Sequence, residues 1–182
     1  TAESNETNNQ TTKAYAVAAP AADFVVTALV PTPSGPVAGG TFSVAVTVKN
    51  QGTLAGIPGT LQVWANQPTV QTCGAVGNKS VVLASLAAGA SRTVTLTGLP
   101  AGVAGAKTLR AFVDSTCATA EPNEPDNQAT KAYTVFARPI PDFVVTGVVL
   151  TPTSPTAGGT FSAAVTVKNQ GAGGGEGGRL VV

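Results

Sequence analysis

The chain has 182 residues, of which 43% are apolar and 10% charged, with a formal net charge of +1 and no histidine. Without His, the usual catalytic triads, imidazole zinc sites and haem ligation are excluded, and the scattered Lys and Arg offer no basic face to nucleic acid. No apolar run is long enough to span a bilayer, and a surface built from Thr, Ser, Asn, Gln, Gly and Ala suits a secreted bacterial surface protein better than a cytosolic enzyme.

In chain order the pattern is strand after strand. Phe24 to Val30 is β-branched and apolar. Phe42, Val44, Val46 and Val48 alternate with Ser43, Ala45, Thr47 and Lys49, a period of two that sets one face on a core. Leu61 and Val63 flank Gln62, and Val81 to Leu83 is short and apolar. Val94 and Leu96 sit among threonines, and Leu109, Ala111 and Val113 alternate with Arg110 and Phe112. Tyr133 and Val135 close the series. Turn signals separate the runs at Pro31 to Gly40, Asn50 to Gly52, Leu86 to Ser91 and Leu99 to Gly105. Gly39-Gly40 and Gly158-Gly159 lie between strands with no Gly-Lys-Ser/Thr following, so they read as turns and not as phosphate loops. No segment has a 3.6-residue apolar period. Seven short strands at this spacing predict an all-β, antiparallel immunoglobulin-like β-sandwich.

The sequence also repeats. Asp23 to Gly52 (DFVVTALVPTPSGPVAGGTFSVAVTVKNQG) returns as Asp142 to Gly171 (DFVVTGVVLTPTSPTAGGTFSAAVTVKNQG), roughly 119 residues later. SNETNNQTTKAYAV at Ser4 to Val17 returns as PNEPDNQATKAYTV at Pro122 to Val135. Similarity at a fixed offset marks an array. The expected organisation is residues 1–19 as the last loop and strand of one repeat, 20–138 as a full repeat, and 139–182 as the first two strands and start of the third strand of another. With no Met in the chain, Thr1 is expected not to be a translation start, and the segment is expected to be an excerpt of something longer. The Gly-rich run Gly171 to Gly178 lacks the apolar content of Leu54 and Ile57, so the two equivalent turns are expected to pack differently.

Cys73 and Cys117 are the chain's two cysteines. A zinc site would need further ligands nearby, so a disulfide is the better reading, over two free buried thiols, and it implies an oxidising compartment. Closing a loop of this length stabilises by about 3–4 kcal/mol in the chain-entropy model.

Charge is rare yet clustered. Asp114, Glu121, Glu124 and Asp126 fall in one segment, with Asn123 and Asn127 between them. Alternation of strand direction brings that segment, the Asn50 turn and Asp23 to one pole of a sandwich. Carboxylate and amide oxygens on an irregular loop form a hard-oxygen set suited to Ca²⁺, and a bound cation would turn their mutual repulsion into a staple. The competing reading is a solvated hairpin loop with Asx-turns and no metal. Glu6 and Asp142 are the corresponding candidates in the flanking repeats, although Asn8 stands where Asp126 stands in the full one. A glycosidase-type carboxylate pair is disfavoured by the scarcity of aromatic platforms. Trp64 reads as a ring lying over a sheet edge in preference to a sugar platform. Asn5, Asn9 and Asn78 begin N-x-S/T sequons, weak evidence in a bacterial protein.

Several motifs together carry a resemblance. Asp23-Phe24, the Gly39-Gly40 turn, Val48-Lys-Asn-Gln-Gly52, a Leu-x-x-Gly-x-Ser turn from Leu86, Val113-Asp114 and Glu121-x-Asn-Glu-x-Asp-Asn127 resemble the CARDB family, the cell-adhesion-related domain found in bacteria. The resemblance implies immunoglobulin-like sandwiches in tandem within large secreted surface proteins, and no enzyme. The expectation is therefore a structural part of an extracellular fibre, stalk or adhesin, calcium-stabilised, whose partners are adjacent repeats or copies of itself. The alternative is an accessory carbohydrate- or ligand-binding repeat of a secreted enzyme, which would need an exposed aromatic platform.

Overall fold

A computed structural model describes residues 2–17 and 19–181. Its strands are β1 (Phe24–Thr32), β2 (Thr41–Asn50), β3 (Thr60–Trp64), β4 (Lys79–Val82), β5 (Ser91–Pro100), β6 (Gly105–Phe112), β7 (Gln128–Val135), β8 (Phe143–Thr151) and β9 (Ser162–Asn169). Two short 3-10 turns, Glu6–Asn8 and Glu124–Asn127, complete the regular structure. No helix among the described residues is long and apolar enough to cross a membrane.

The period-two runs become strands because a pleated chain sends alternate side chains to opposite faces. On β2, Phe42, Val44, Val46 and Val48 are buried and the residues between them are partly exposed. β1, β2 and β5 form one antiparallel sheet, and β4, β3, β6 and β7 form a second in that order. Side chains from both sheets meet in one apolar cluster that includes Phe24, Val46, Leu61, Leu96, Leu99, Leu109 and Val135. Tyr133 joins it beside Phe42, with ring centroids 5.3 Å apart, and its hydroxyl donates to Ala65 O at 2.8 Å, which satisfies the one polar atom it buries. The result is an all-β, mainly antiparallel, immunoglobulin-like fold; a parallel bridge between Val37 and Phe136 supplies the exception.

The alternation on β6 is half misleading. Leu109 and Ala111 face the core as expected, yet Arg110 and Phe112 are buried too. The cause is the segment 65–78, which crosses the outer face of the four-stranded sheet as a strap. Arg110 donates from Nε to Gln67 O (3.0 Å), from Nη2 to Pro68 O (2.9 Å) and from Nη1 to Gln128 Oε1 (3.0 Å). Burial lowers the pKa of the Arg110 guanidinium from its ordinary value. Trp64 is 7% exposed beneath the strap and donates from Nε1 to Val76 O at 3.1 Å. Gln71 and Gln128 exchange hydrogen bonds, N to Oε1 at 3.0 Å and Nε2 to O at 2.8 Å. Cys73 and Cys117 form a disulfide, Cα to Cα 5.6 Å, that fastens the strap to the loop after β6.

β8 and β9 reproduce β1 and β2 in register. The same irregularity falls at Thr27 and Thr146, whose hydroxyls donate to Thr47 O (3.2 Å) and Thr166 O (3.3 Å). The turns after β2 and β9 share an Asn side-chain hydrogen bond, although only the first also pairs with the segment around Leu86. Asn50 Nδ2 donates to Leu54 O at 2.8 Å and Asn169 Nδ2 to Gly173 O at 2.7 Å. Backbone and Asn build these turns, while Leu54 and Ile57 are exposed and contribute little packing. No strand follows β9 among the described residues.

Candidate metal centre

The pole at the start of β1 is built around the end of β2. Asn50 is fully buried and uses its whole amide: Oδ1 accepts from Asp23 N (3.2 Å) and Gly52 N (3.0 Å), and Nδ2 donates to Leu54 O and to Leu86 O (3.1 Å). A Cβ at Gly52 would lie 2.3 Å from Ala21 O, so glycine is required where the incoming chain passes this closely. Gln51 follows, with its N–H on Asp23 O at 2.7 Å. Its Nε2 donates to Asp23 Oδ2 at 3.0 Å and to Asp126 Oδ2 at 2.8 Å.

The acidic segment folds by local hydrogen bonds. Glu124 Oε1 accepts from Glu121 N at 3.0 Å and Asp126 Oδ2 from Asn123 Nδ2 at 2.7 Å. Asn127, fully buried, donates from Nδ2 to Glu121 Oε1 at 3.2 Å and to Glu124 Oε2 at 3.4 Å. Glu121 Oε2 accepts a hydrogen bond from Phe24 N, which ties the loop to β1. Burial pushes the Glu121 carboxyl up to about 7; the Phe24 N–H opposes this, the charges of Glu124 and Asp114 reinforce it, and the Asn127 amide opposes it weakly.

The sequence-predicted residues fall into three groups. Asp23, Glu121, Asn123, Glu124, Asp126 and Asn127 share the pole and are linked directly or through Gln51. Asp114 is buried beneath it with φ +45°, and its oxygens accept from Ala118 N (3.2 Å) and Thr119 N (2.8 Å), so its carboxylate already staples the start of the loop. Glu6 and Asp142 lie in the flanking segments. Glu6 accepts from Glu3 N (3.2 Å) and Asn9 Nδ2 (3.1 Å), as Glu124 does from Glu121 and Asn127. Asp142 Oδ2 accepts from Gln170 Nε2 at 2.8 Å, as Asp23 does from Gln51. Among the described residues neither flanking half has its counterpart beside it.

Three oxygens at the pole have no donor although each is buried: Asp23 Oδ1, Asp126 Oδ1 and Asn127 Oδ1. A buried acceptor left without a partner costs about 1–3 kcal/mol, more when charged. Two carboxylate oxygens and an amide oxygen match the hard ligands of a divalent cation such as Ca²⁺. Among the described residues no three Asp, Glu, His or Cys side chains draw together as a ready-made ligand group. The unpaired set is instead two acids and one amide, flanked by Glu121 and Glu124, and its chemistry fits an oxygen-seeking ion. Gln51 is the member that sequence reasoning left out. Its signal was present, since Asn-Gln-Gly ends the second strand of both copies.

The chain superimposes on the CARDB domain of a Pyrococcus furiosus protein crystallised in complex with di-metal ions, at 23% identity and TM-score 0.52, covering 67% of this chain and 100% of that one. It also superimposes on a domain of a Methanosarcina acetivorans protein named for the cell surface, at 22% identity and TM-score 0.51, covering 64% and 93%. These likenesses establish the fold. No curated protein matches the chain. The family model for CARDB matches residues 21–131, most of the described sandwich and all of the acidic loop. The chain therefore belongs to the CARDB family, whose domains are non-catalytic adhesion modules.

Proposed function

We propose that the chain is a structural segment of an extracellular fibre, surface stalk or adhesin, in which seven-stranded immunoglobulin-like units of about the 20–138 span follow one another in tandem and calcium fastens the acidic pole of each. The observation that carries this reading is the joint. Upstream, Phe136 is tied to the first unit by Phe136 N to Pro36 O and Ala38 N to Phe136 O, both 2.9 Å. Downstream, Ile140 O accepts from Gly173 N at 3.0 Å, as Ala21 O accepts from Leu54 N at 3.1 Å just before β1. Only Ala137, Arg138 and Pro139 separate the anchored residues Phe136 and Ile140, and Pro139 has a fixed φ. So short a link restricts the angle between neighbours, which is useful to a load-bearing array and unnecessary to a detached binding module.

The disulfide agrees with an oxidising location outside the cell, as does the likeness to a domain of a cell-surface protein. The Pyrococcus domain bound to di-metal ions supports a cation at this fold. In this chain Asp23, Asp126 and Asn127 would hold it through their unpaired oxygens, with Glu121, Glu124 and Asn123 around them and Asp114 stapling the loop from below. The ion would neutralise the crowded acids and tie β1 to the loop before β7. Glu6 and Asp142 would serve the equivalent poles of the flanking units. The partners are then neighbouring repeats or copies. The carbohydrate-binding alternative loses its platform, because the single Trp is buried under the strap.

Thermal melting in CaCl₂ and in EDTA tests the metal. At calcium a hundredfold above Kd, binding adds about 2.7 kcal/mol; superimposable melting curves would sink the calcium reading. Electron microscopy of chains carrying several units in tandem tests the array. Inserting a Gly-Ser tetrapeptide after Arg138 should shorten the persistence length, and unchanged stiffness would count against the joint.

A further inference from the structure

We infer that Gln51 is the positioning residue of the cation site: one amide nitrogen, shared by Asp23 and Asp126, holds both carboxylates at the pole and leaves their Oδ1 atoms free for the ion. The inference rests on the metal reading above and adds a residue to it.

Carboxylates only accept, so the group between them must be the amide NH₂ of Gln51, which has two hydrogens to give. The two contacts are 3.0 and 2.8 Å and both go to Oδ2. Each carboxylate is thus fixed in rotation, and the oxygens left over are the buried, unpaired Asp23 Oδ1 and Asp126 Oδ1. Gln51 is itself held, because its N–H closes the β1–β2 ladder on Asp23 O at 2.7 Å and the neighbouring Asn50 is fully buried. The second copy shows that half of the bridge forms unaided. Gln170 N donates to Asp142 O and Gln170 Nε2 to Asp142 Oδ2, each at 2.8 Å, with no acidic loop beside them. The glutamine therefore orients the strand-start aspartate without help from the loop, and its remaining hydrogen serves the loop aspartate. Asn123 Nδ2 also holds Asp126 Oδ2 at 2.7 Å, so without Gln51 it is Asp23 that is released and the link between the two charges that is lost.

The test uses the full chain, CaCl₂ alone as probe, and calorimetric titration beside melting in EDTA. Gln51→Met keeps the volume and removes the donor. Outer-shell groups of this kind are typically worth 10–100-fold in metal affinity, so calcium binding is expected to weaken at least tenfold, and melting in EDTA to fall. Gln51→Lys keeps a donor but adds a competing cation. It is expected to melt in EDTA no lower than wild type while still losing calcium affinity, a split that a merely structural role would not produce. Gln170→Met should bind like wild type. Calcium affinity of Gln51→Met within twofold of wild type overturns the inference. If the wild type itself takes up no calcium, the metal reading fails separately, and the EDTA melting of Gln51→Met still decides whether the bridge exists: a fall supports it and no change overturns it.

Discussion

Cutting the Cys73–Cys117 disulfide should lower the stability of the sandwich strongly while leaving the strap in place. The bond spans 44 residues of sequence, and in the chain-entropy model a loop of that size is worth about 4 kcal/mol, exerted on the unfolded chain. A unit of roughly 115 residues unfolds with an entropy of ~0.24 kcal/mol/K, so this corresponds to about 15 °C in Tm. The native strap has independent moorings in the Arg110 contacts to Gln67 and Pro68, the Gln71–Gln128 pair and the Trp64 to Val76 bond. Trp64, the single tryptophan, reports on it. In Cys73→Ser/Cys117→Ser, emission at 25 °C should stay that of a buried indole while melting shifts down. Unchanged melting would refute the entropic argument. A red-shifted native emission would refute the claim that the strap holds without its covalent tie.

Glu121 gives a pH test in metal-free buffer. Its folded pKa of about 7 lies above the ordinary glutamate value of 4.5, so the unfolded state loses its proton first and stability falls as pH rises between those values. After discounting for partial exposure, the loss is about 1–2 kcal/mol. Glu121→Gln, whose amide oxygen can still accept from Phe24 N, should abolish that slope in urea titrations at pH 4.5 to 8; an unchanged slope would reassign it. Asn50→Ala removes four bonds at the buried end of β2, and should cost about 3 kcal/mol by urea denaturation, since buried groups lose their partners. A loss below about 1 kcal/mol would mean that water replaces the side chain.

The strands were legible because their information is local. On β2 the apolar positions alternate at the period of a pleated chain, and the turns carry Gly, Pro and Asn where reversals fall. The internal repeat was equally plain, and β8–β9 reproduces β1–β2 down to the irregularity at Thr146 because that detail is set within the hairpin. The acidic loop was visible as a concentration of charge. Arg110, Phe112 and Trp64 were misjudged or left open for the opposite reason: what covers them is a strap with no periodic signal, held by backbone carbonyls that any sequence possesses.

By itself the sequence determined the all-β class, the strand order along the chain, the repeat and the disulfide partners, since each follows from spacing and composition along one dimension. Tertiary structure alone decided which acids face one another. Asp23 and Asp126 are 103 residues apart in the numbering, and they meet because β1 begins where the loop before β7 ends and because Gln51 reaches both. Tertiary structure also separated Asp114, spent on backbone N–H groups, from the oxygens left without donors. Hydrogen-bond supply is a three-dimensional count, and no pattern along the chain contains it.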